Sequence, residues 1–344
     1  MESPQKFRIA LDAMGGDYAP RHEVEGAVQA LRSHGSTIGL TLLGDERAIR
    51  AELARLGAEN LPLEIIHASQ TITMEDAPTA ALKQKRDSSL SVGMHLHKEK
   101  KTDAFVSAGN TGAVFSAATL ILGRIKGISR PTIGAFIPSE IGVCFLVDAG
   151  ANIDCRAQHL YEFALMGSIY SKYILKKENP RIGLLNVGEE KTKGTSVALE
   201  AYRMLSSGSL NFIGNVEGGD ILKTKADVVV CDGFVGNIVL KFGESVPGFL
   251  KNRLKQFSQK GLLEKISIAV SLWPLKSSLR DLDPNESGGV PVLGVNGVAV
   301  IGHGSASPKG IKNMILCAAE VARLEVNRHI ESSLSDVHLI SSQS

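Results

Sequence analysis

Six short apolar runs each end in a loop that combines glycine with Asn, Asp, Ser, Thr, His or Lys. The loops span residues 12–17, 107–112, 148–152, 186–194, 231–237 and 302–305. Glycine lets the backbone approach a ligand closely, and a helix that follows such a loop presents free N–H groups and a partial positive charge. Loops of this kind hold phosphate-sized anions. A single one is also an ordinary turn, but six at one kind of position favour a shared anion site.

The strongest candidates for chemistry are a lysine and a histidine in two of these loops. Lys193 is a cation in a glycine-flanked loop and could bind phosphate, or it could be a solvated lysine of the charged run 189–193. His303 lies between two glycines, where it could protonate a leaving group or serve only a structural role. Further candidates for substrate or phosphate binding are Gly15, Gly16, Asn110, Thr111, Gly112, Gly188, Asn237, Lys241, Gly304 and Ser305.

Several polar candidates have an equally simple structural role. Asn186 directly follows a strand and could orient a reactant, or make a hydrogen bond at the strand end. Asp232 could orient His303 or Lys193, or it could cap the helix that opens at Val235.

The same ambiguity applies at two helix starts. Asn110 and Thr111 could bind an anion or cap the following helix, and capping is the stronger alternative for Thr111. Lys241 lies one helical turn after Asn237, and its side chain could face the site or, more simply, solvent.

Motifs for nucleotides, metals and protein nucleophiles are missing from the sequence. It contains no G-x-x-x-x-G-K-[ST], no G-x-G-x-x-G after the first strand, no G-x-S-x-G and no H-E-x-x-H. The four cysteines include no C-x-x-C pair, and His95 and His97 point to different faces of a predicted helix. We therefore predict neither a metal site nor a cofactor.

Strands and helices must alternate to position these loops. Short β-branched runs separated by longer amphipathic stretches predict an α/β protein with a mostly parallel sheet and helices on both faces. The runs 132–137 and 141–147 are joined by a tight turn at 138–140, which breaks the alternation and predicts a mixed sheet. We expect a single catalytic unit over residues 1–335 and a frayed, serine-rich tail over 336–344.

Composition limits the classes of partner. The chain has 344 residues and a net charge of +2, with 43% hydrophobic and 22% charged residues. These values are typical of a globular protein, and neither a dense basic arm nor an aromatic-basic platform favours nucleic acid binding. With no signal peptide and no apolar run of spanning length, a cytoplasmic location is expected.

The segment 244–285 differs from the rest of the chain. Val246, Phe249, Leu250, Leu254 and Phe257 recur at helical spacing between basic residues, and the stretch 262–273 is apolar on more than one face. A surface helix has no need of such a pattern. The segment therefore predicts either a dimer contact or contact with a membrane surface.

A family resemblance brings these features together. In this order along the chain, DAMGGD, SAGNTGA, DAGAN, NVGEEKTKG, GNVEGGD, VCDGFVGNIVLK and PVLGVNGVAVIGHG resemble the PlsX-type phosphate acyltransferases, over about residues 7 to 330. The resemblance implies a three-layer α/β/α fold like that of phosphate acetyltransferases and isocitrate or isopropylmalate dehydrogenases. It also implies transfer of an acyl group from acyl carrier protein to inorganic phosphate. Its further implications are a homodimer, peripheral membrane contact, and delivery of the acyl phosphate to a membrane glycerol-3-phosphate acyltransferase for phospholipid synthesis.

The resemblance implies a reaction without a protein nucleophile, in which phosphate attacks the thioester directly. One departure is visible: where family members tend to carry a tyrosine before paired glycines, this chain has Glu286-Ser287-Gly288-Gly289. Its acyl-length preference therefore stays open. Three alternatives also stay open: a metal- and NAD-dependent dehydrogenase of the same fold, a short-chain phosphate acetyltransferase, and a non-catalytic membrane scaffold.

Overall fold

One mixed sheet forms the centre of the molecule. The computed structural model describes residues 6–261, 263, 265–268, 270 and 288–341. Among them, eleven strands pair in the order β3-β2-β1-β4-β11-β10-β5-β6-β9-β7-β8. The strands are β1 Phe7–Asp12, β2 Ile38–Gly44, β3 Leu63–His67, β4 Ala104–Ser107, β5 Thr132–Ser139, β6 Gly142–Val147, β7 Ile182–Leu185, β8 Phe212–Val216, β9 Val228–Val230, β10 Val290–Leu293 and β11 Ala299–Ile301.

Helices cover both faces of this sheet. They are α1 Arg21–His34, α2 Glu46–Arg55, α3 Pro78–Gln84, α4 Ser89–Lys98, α5 Thr111–Ala117, α6 Ala157–Tyr173, α7 Ser196–Ser207, α8 Gly233–Ser258, α9 Pro308–Arg323 and α10 Val326–Ser341. Side chains alternate across each strand. Ile9 and Leu11 accordingly join the core under α1, α6 and α9, while Ala10 joins the core under α4 and α5. The predicted three-layer α/β/α fold is thus confirmed.

Strand direction divides the sheet into two halves. β1, β2, β3, β4 and β11 are mutually parallel. Three antiparallel pairings follow, from β11 to β10, from β10 to β5 and from β5 to β6. β6, β9, β7 and β8 are again parallel to one another, so they run opposite to the first half. Strands end on two opposite sides of the sheet. We call the side with the carboxyl ends of β1, β4 and β11 the β1 edge, and the side with the carboxyl ends of β6, β9 and β7 the β6 edge.

The predicted antiparallel pair is the β5–β6 hairpin, but its turn is at Glu140 and Ile141 and not at 138–140, because Pro138 pairs with Val143 and Ser139 pairs with Gly142. The helix that follows β4 is short, because α5 ends at Ala117 and a π-helical turn covers Ala118–Leu122. The tail predicted to fray from residue 336 is helical as far as Ser341. That helix is anchored through Val326, Ile330 and Leu334, which are buried in the core.

The segment 244–285 begins inside a longer helix than its sequence pattern indicated. Residues 244–258 are the second part of α8, which starts at Gly233 and continues through Pro247. Every residue from 241 to 250 is exposed, with Phe249 63% and Phe242 71% accessible. Residues 271–285 lie outside the described part. None of the helices in the described part combines the length and hydropathy that crossing a bilayer requires.

A buried histidine connects α4 to the start of β11. The backbone N–H of Val298 donates to Nε2 of His97 (2.8 Å), so that the ring proton lies on Nδ1 and is donated to the carbonyl of Thr102 (3.0 Å). Burial lowers the pKa of His97 below its ordinary value. Protonation of Nε2 would abolish the bond from Val298 and place a charge in the core.

We expect acid to destabilise the fold through His97. Because its pKa is lower in the folded chain than in the unfolded chain, its contribution to stability is complete above the unfolded pKa of about 6.5 and is lost as the pH falls below it. Urea unfolding of His97→Gln should therefore depend less on pH between 7 and 5 than unfolding of the unchanged protein. His34→Gln, at an exposed position of α1, is the control and should leave the pH dependence unchanged.

Candidate active site

The loops after β1 and β4 are joined by a buried carboxyl group. Ser107 donates its hydroxyl to Oδ2 of Asp12 (2.8 Å), and the backbone N–H of Met14 donates to Oδ1 (3.1 Å). The backbone N–H of Gly109 in turn donates to the Ser107 hydroxyl (3.0 Å). Burial raises the pKa of Asp12. Asp12 therefore fixes the two loops relative to each other.

Glycines allow three loops to meet at the β1 edge. A Cβ on Gly15 would lie 2.5 Å from Oδ2 of Asp12, and Gly16 adopts a φ of +133°. The backbone N–H of Asp17 donates to the carbonyl of Gly304 (2.8 Å), which adds the loop after β11. Side chains at positions 15 and 16 would separate these loops, so the glycines serve close packing as well as any ligand.

Asn110 is engaged in holding one wall of the site. Its Oδ1 accepts from the N–H of Ala113 (3.0 Å) and caps α5, while its Nδ2 donates to the carbonyls of Thr73 (3.1 Å) and Asp76 (3.0 Å). Asn110 rather than Thr111 is thus the capping residue. The side chain of Thr111 is exposed at the first helical position. The next residue is Gly112, where a Cβ would meet the ring of Pro78 at 2.7 Å.

A cavity of about 250 Å³ opens between these loops. Its lining includes the acidic residues Asp17 and Glu75, and none of the lining residues is Lys, Arg, Ser, Cys or His. The lining residues are Met14, Gly16, Asp17, Thr71, Ile72, Thr73, Met74, Glu75, Gly109 and Asn110. The cavity can hold a small polar group between glycine-rich loops, but it offers no cationic side chain to a phosphate.

His303 and Ser305 lie exposed in the loop that adjoins this cavity through Gly304. Nδ1 of His303 accepts from the backbone N–H of Ser305 (3.2 Å) and lies 2.8 Å from the Ser305 hydroxyl. The contact sets the orientation of the imidazole within its own turn. An exposed, oriented imidazole at the β1 edge is compatible with proton transfer to a leaving group.

Glu23 is a buried acid that the sequence pattern did not single out. It lies on α1 directly behind Gly16, where a Cβ would collide with its Oε1, and its Oε2 has no hydrogen-bond partner. Burial, together with the nearby charges of Asp12 and Asp17, raises its pKa from 4.5 to about 8. The sequence did contain a signal for the burial of Glu23. It lies next to Val24, Ala27 and Val28, which form the apolar face of α1.

Removing the charge of Glu23 should stabilise the protein in base. Because its pKa is raised in the fold, the stability associated with the neutral acid is present below pH 4.5 and is lost as the pH rises through about 8. Thermal unfolding at pH 9 should show Glu23→Gln more stable than the unchanged chain by on the order of 2 kcal/mol, with a smaller difference at pH 5. Glu25→Gln, one position beyond Val24 on the same helix and partly exposed, is the control. An equal difference at both pH values would contradict the shifted pKa of Glu23.

A second group of loops meets at the β6 edge around Asp148. This buried carboxylate accepts from the N–H groups of Gly150, Ala151 and Asn152, each at 2.8 Å. Burial raises its pKa nonetheless. The loop after β6 therefore curls around Asp148, which holds that loop in place.

The loop after β9 interlocks with the one around Asp148. Oδ1 of Asp232 accepts from the N–H of Val235 (2.9 Å) and caps α8, as one of the two sequence interpretations had it. A Cβ on Gly236 would collide with the carbonyl oxygen of Asp148. A Cβ on Gly150 would lie 3.2 Å from Cβ of Asn237, which places Asn237 beside the Asp148 loop.

The loop after β7 carries Lys193. Nδ2 of Asn186 donates to the carbonyl of Lys193 (3.0 Å), and its Oδ1 accepts from the N–H of Val187 (2.9 Å). Gly194 has a φ of +103° and passes close to the same amide. At the buried Gly188, a Cβ would lie 3.4 Å from Cγ of Lys193. Asn186 thus shapes the loop through its backbone, and the side chain of Lys193 is exposed.

Two sequence expectations need correction. Because the halves of the sheet run in opposite directions, the six loops form two groups at opposite edges and not one site within the chain. Asp232 at the β6 edge therefore cannot orient His303 at the β1 edge of the same chain. The side chain of Lys241 is 64% accessible and 3.5 Å from Glu244, which agrees with the simpler of its two alternatives, a side chain that faces solvent. The catalytic and binding roles assigned to the other candidates stay predictions.

Sequence comparisons now identify the family. A profile described as "Fatty acid synthesis protein" matches residues 7–329. A protein named phosphate acyltransferase from Chlorobaculum parvum is 45% identical over 336 residues, covering 95% of this chain and 98% of its own length. Another from Pelotomaculum thermopropionicum is 45% identical over 333 residues, covering 97% and 96%. This chain belongs to the phosphate acyltransferases. As a member of that family, it is an acyltransferase enzyme.

Solved structures support the fold. A phosphotransacetylase from Streptococcus pyogenes aligns with a TM-score of 0.61 at 19% identity, over 91% of this chain and 93% of its own. The EutD phosphotransacetylase from Staphylococcus aureus aligns with a TM-score of 0.59 at 16% identity, over 92% and 94%. The predicted likeness to the phosphate acetyltransferase fold is confirmed.

Proposed function

We propose that this phosphate acyltransferase moves a long-chain acyl group from acyl carrier protein to inorganic phosphate, and that the acyl phosphate enters phospholipid synthesis. The observation that carries the proposal is the β1-edge cavity between three interlocked glycine loops. Its walls include no Ser, Cys or His that could take up the acyl group. Phosphate itself is then the nucleophile.

The chemistry requires positioning and charge stabilisation. A phosphate oxygen attacks the thioester carbonyl, a tetrahedral oxyanion forms, and the carbon–sulfur bond breaks to release the thiol of the carrier protein. Backbone N–H groups of the glycine loops are suited to the phosphate and the oxyanion. In this proposal His303 protonates the departing thiolate, and Gly304 and Ser305 hold the imidazole of His303 in position.

In this proposal a homodimer brings a lysine, the cation that binds phosphate, to the cavity at the β1 edge. Lys193 lies at the β6 edge of its own chain, whereas the cavity at the β1 edge has no Lys or Arg in its lining. A two-fold axis brings unlike surfaces of two copies together in reciprocal pairs. The β6 edge of one protomer would then supply Lys193, ordered by Asn186, to the cavity of its partner, and both sites would be equivalent.

The exposed face of α8 is suited to contact with a second protomer and with the membrane. Phe242, Phe249 and Phe257 are exposed beside Lys251 and Lys255 on one helix. Large apolar patches on a protein surface mark contact sites for proteins or membranes. We propose that this face serves the dimer and peripheral contact of a cytoplasmic enzyme with the membrane, where a glycerol-3-phosphate acyltransferase receives the product.

The test is an acyl-transfer assay on the purified protein. Palmitoyl-acyl carrier protein, with and without inorganic phosphate, is followed by release of free thiol and by hydroxylamine trapping of the acyl phosphate. We expect both signals to require phosphate. Acetyl-CoA as the sole active donor would select the short-chain alternative, and thiol release independent of phosphate would overturn the proposed function.

A further inference from the structure

A second cavity of about 250 Å³ lies on the face of the sheet covered by α6 and α9. Its floor is the β5–β6 hairpin, and its walls are the end of α6 and the middle of α9. The apolar side chains and the thiol that line it are those of Phe136, Val143, Tyr170, Ile174, Leu175 and Cys317. The pocket is open to solvent, and concave sites lined by aliphatic and aromatic side chains are common places for ligands to bind.

The lining offers little to a polar molecule. The Tyr170 hydroxyl lies 3.9 Å from Sγ of Cys317, a weak contact, and Tyr170 itself is fully buried. The lining includes one charged residue, Glu320, which lies 2.6 Å from Arg323 and 3.9 Å from Lys176. Lys176 follows α6, and Glu320 belongs to α9, so the ion pair spans the mouth between the two walls. A pocket lined in this way is suited to an apolar ligand.

Most of the lining residues lie toward the β1 edge of the sheet. β5 runs parallel to β11, so Phe136 lies in the half of its strand nearer the β1 edge, and Val143 starts β6 at that same edge. α6 connects the carboxyl end of β6 to the start of β7, which brings Tyr170 and Ile174 to the β1 edge as well. Cys317 is nine residues beyond Pro308 on α9, a rise of about 13 Å from the helix start that follows the Gly302–Ser305 loop.

We propose that this cavity binds the distal part of the acyl chain and sets the chain length that the enzyme prefers. The inference rests on the proposed function, in which the thioester reacts at the β1 edge. A chain held at its reactive end by the glycine loops needs an apolar site some distance away on the same edge, and the α6–α9 cavity meets that requirement. A flexible hydrocarbon also suits a lining of aliphatic and aromatic side chains without a directed hydrogen bond.

Filling the cavity tests the proposal. Cys317→Phe should lower kcat/KM for palmitoyl thioester at least tenfold and leave kcat/KM for a butyryl thioester within about twofold. Cys317→Ser keeps the volume and is the matched control, with the wild-type preference retained. Val143→Phe, in the floor of the cavity near the hairpin turn, gives a second variant should Cys317→Phe fold poorly. Equal losses for both chain lengths in both variants would overturn the proposal.

The native thiol provides an independent readout. Of the four cysteines, Cys144, Cys155 and Cys231 are buried, and only Cys317 is partly accessible. Burial raises the pKa of Cys317 to about 11, so labelling with an apolar maleimide is best followed at pH 9. Palmitoyl thioester should slow the labelling of Cys317 by fivefold or more, and butyryl thioester should not. Labelling that palmitoyl thioester leaves unchanged would contradict the proposed site.

These outcomes separate the inference from the function it rests on. Phosphate-dependent transfer that is insensitive to Cys317→Phe would reject the cavity as an acyl site and leave the proposed reaction standing. Loss of phosphate-dependent transfer from every acyl donor in the unchanged protein would reject the reaction itself.

Discussion

Lys193→Ala is expected to lower kcat/KM for phosphate about a hundredfold or more, because an ionic contact to the reacting anion is lost. The fold should not change. The side chain of Lys193 is exposed, and Asn186 holds the loop through the backbone carbonyl of Lys193, which alanine retains. Unfolding free energies of the two proteins should therefore agree within about 0.5 kcal/mol. Steady-state kinetics at varied phosphate is the measurement.

The matched control is Lys191→Ala, two positions earlier in the same exposed loop. A similar loss for both variants would indicate a general effect of loop charge and not a contact made by Lys193. Unchanged kinetics in Lys193→Ala would remove this residue from the mechanism and leave the glycine loops as the phosphate-binding groups.

Coexpression can show whether Lys193 acts on the partner's cavity. In the proposed homodimer, His303→Ala and Lys193→Ala would each impair both sites, but a mixed dimer would regain one intact site if the two residues come from different protomers. Random pairing then restores about a quarter of the activity of the unchanged enzyme. If both residues act within one protomer, each mixed dimer contains two defective sites and no activity returns.

Gly236→Ala is expected to destabilise the protein by about 3 kcal/mol or more, since the added methyl group would meet a backbone carbonyl that cannot move aside. That carbonyl belongs to Asp148, whose carboxylate accepts from Gly150, Ala151 and Asn152. Both the first turn of α8 and the Asp148 loop would have to shift. Urea-induced unfolding measures the loss.

Gly243→Ala on the same helix is the control. A Cβ at position 243 would have nothing within 4 Å. Alanine has the higher helix propensity, so this variant should gain about 0.5 to 1 kcal/mol. Glycine-to-alanine substitutions two helical turns apart are thus expected to change the free energy of unfolding in opposite directions. A loss at both positions would indicate that α8 is displaced from the place described here.

The layered architecture was predictable because it depends on local patterns. Short β-branched runs, amphipathic stretches and the tight turn between β5 and β6 each have a period or a turn signal that is visible in neighbouring residues, although the turn begins two residues later than predicted. Strand direction was not predictable in this way. β10 comes late in the chain yet pairs between β5 and β11, antiparallel to both, so β5 runs in the direction of β11 and the β5–β6 hairpin then reverses the second half of the sheet. The expectation of a single site failed for that reason.

Candidate residues were found more readily than their roles. The glycine loops could be located from the sequence, because strand ends and glycines are local features. Asn110 and Asp232 prove to cap helices, which the residue types alone left open beside ligand binding. Glu23 was missed since its burial depends on Gly16 passing directly over it, a contact between a loop and a helix that composition does not reveal.

The outer part of α8 has a consequence for how the protein is assembled. Residues 241–250 are all exposed, and the helix there contains Gly243, Pro247 and Gly248, which are poor helix formers. Isolated helical turns of such composition are marginal in water. In a separate protomer the amide hydrogens of residues 241–258 should therefore exchange with deuterium within seconds, while those of β1 and β4 stay protected. Slow exchange in this stretch would appear only once its apolar face is covered, so it would report assembly even in variants without activity.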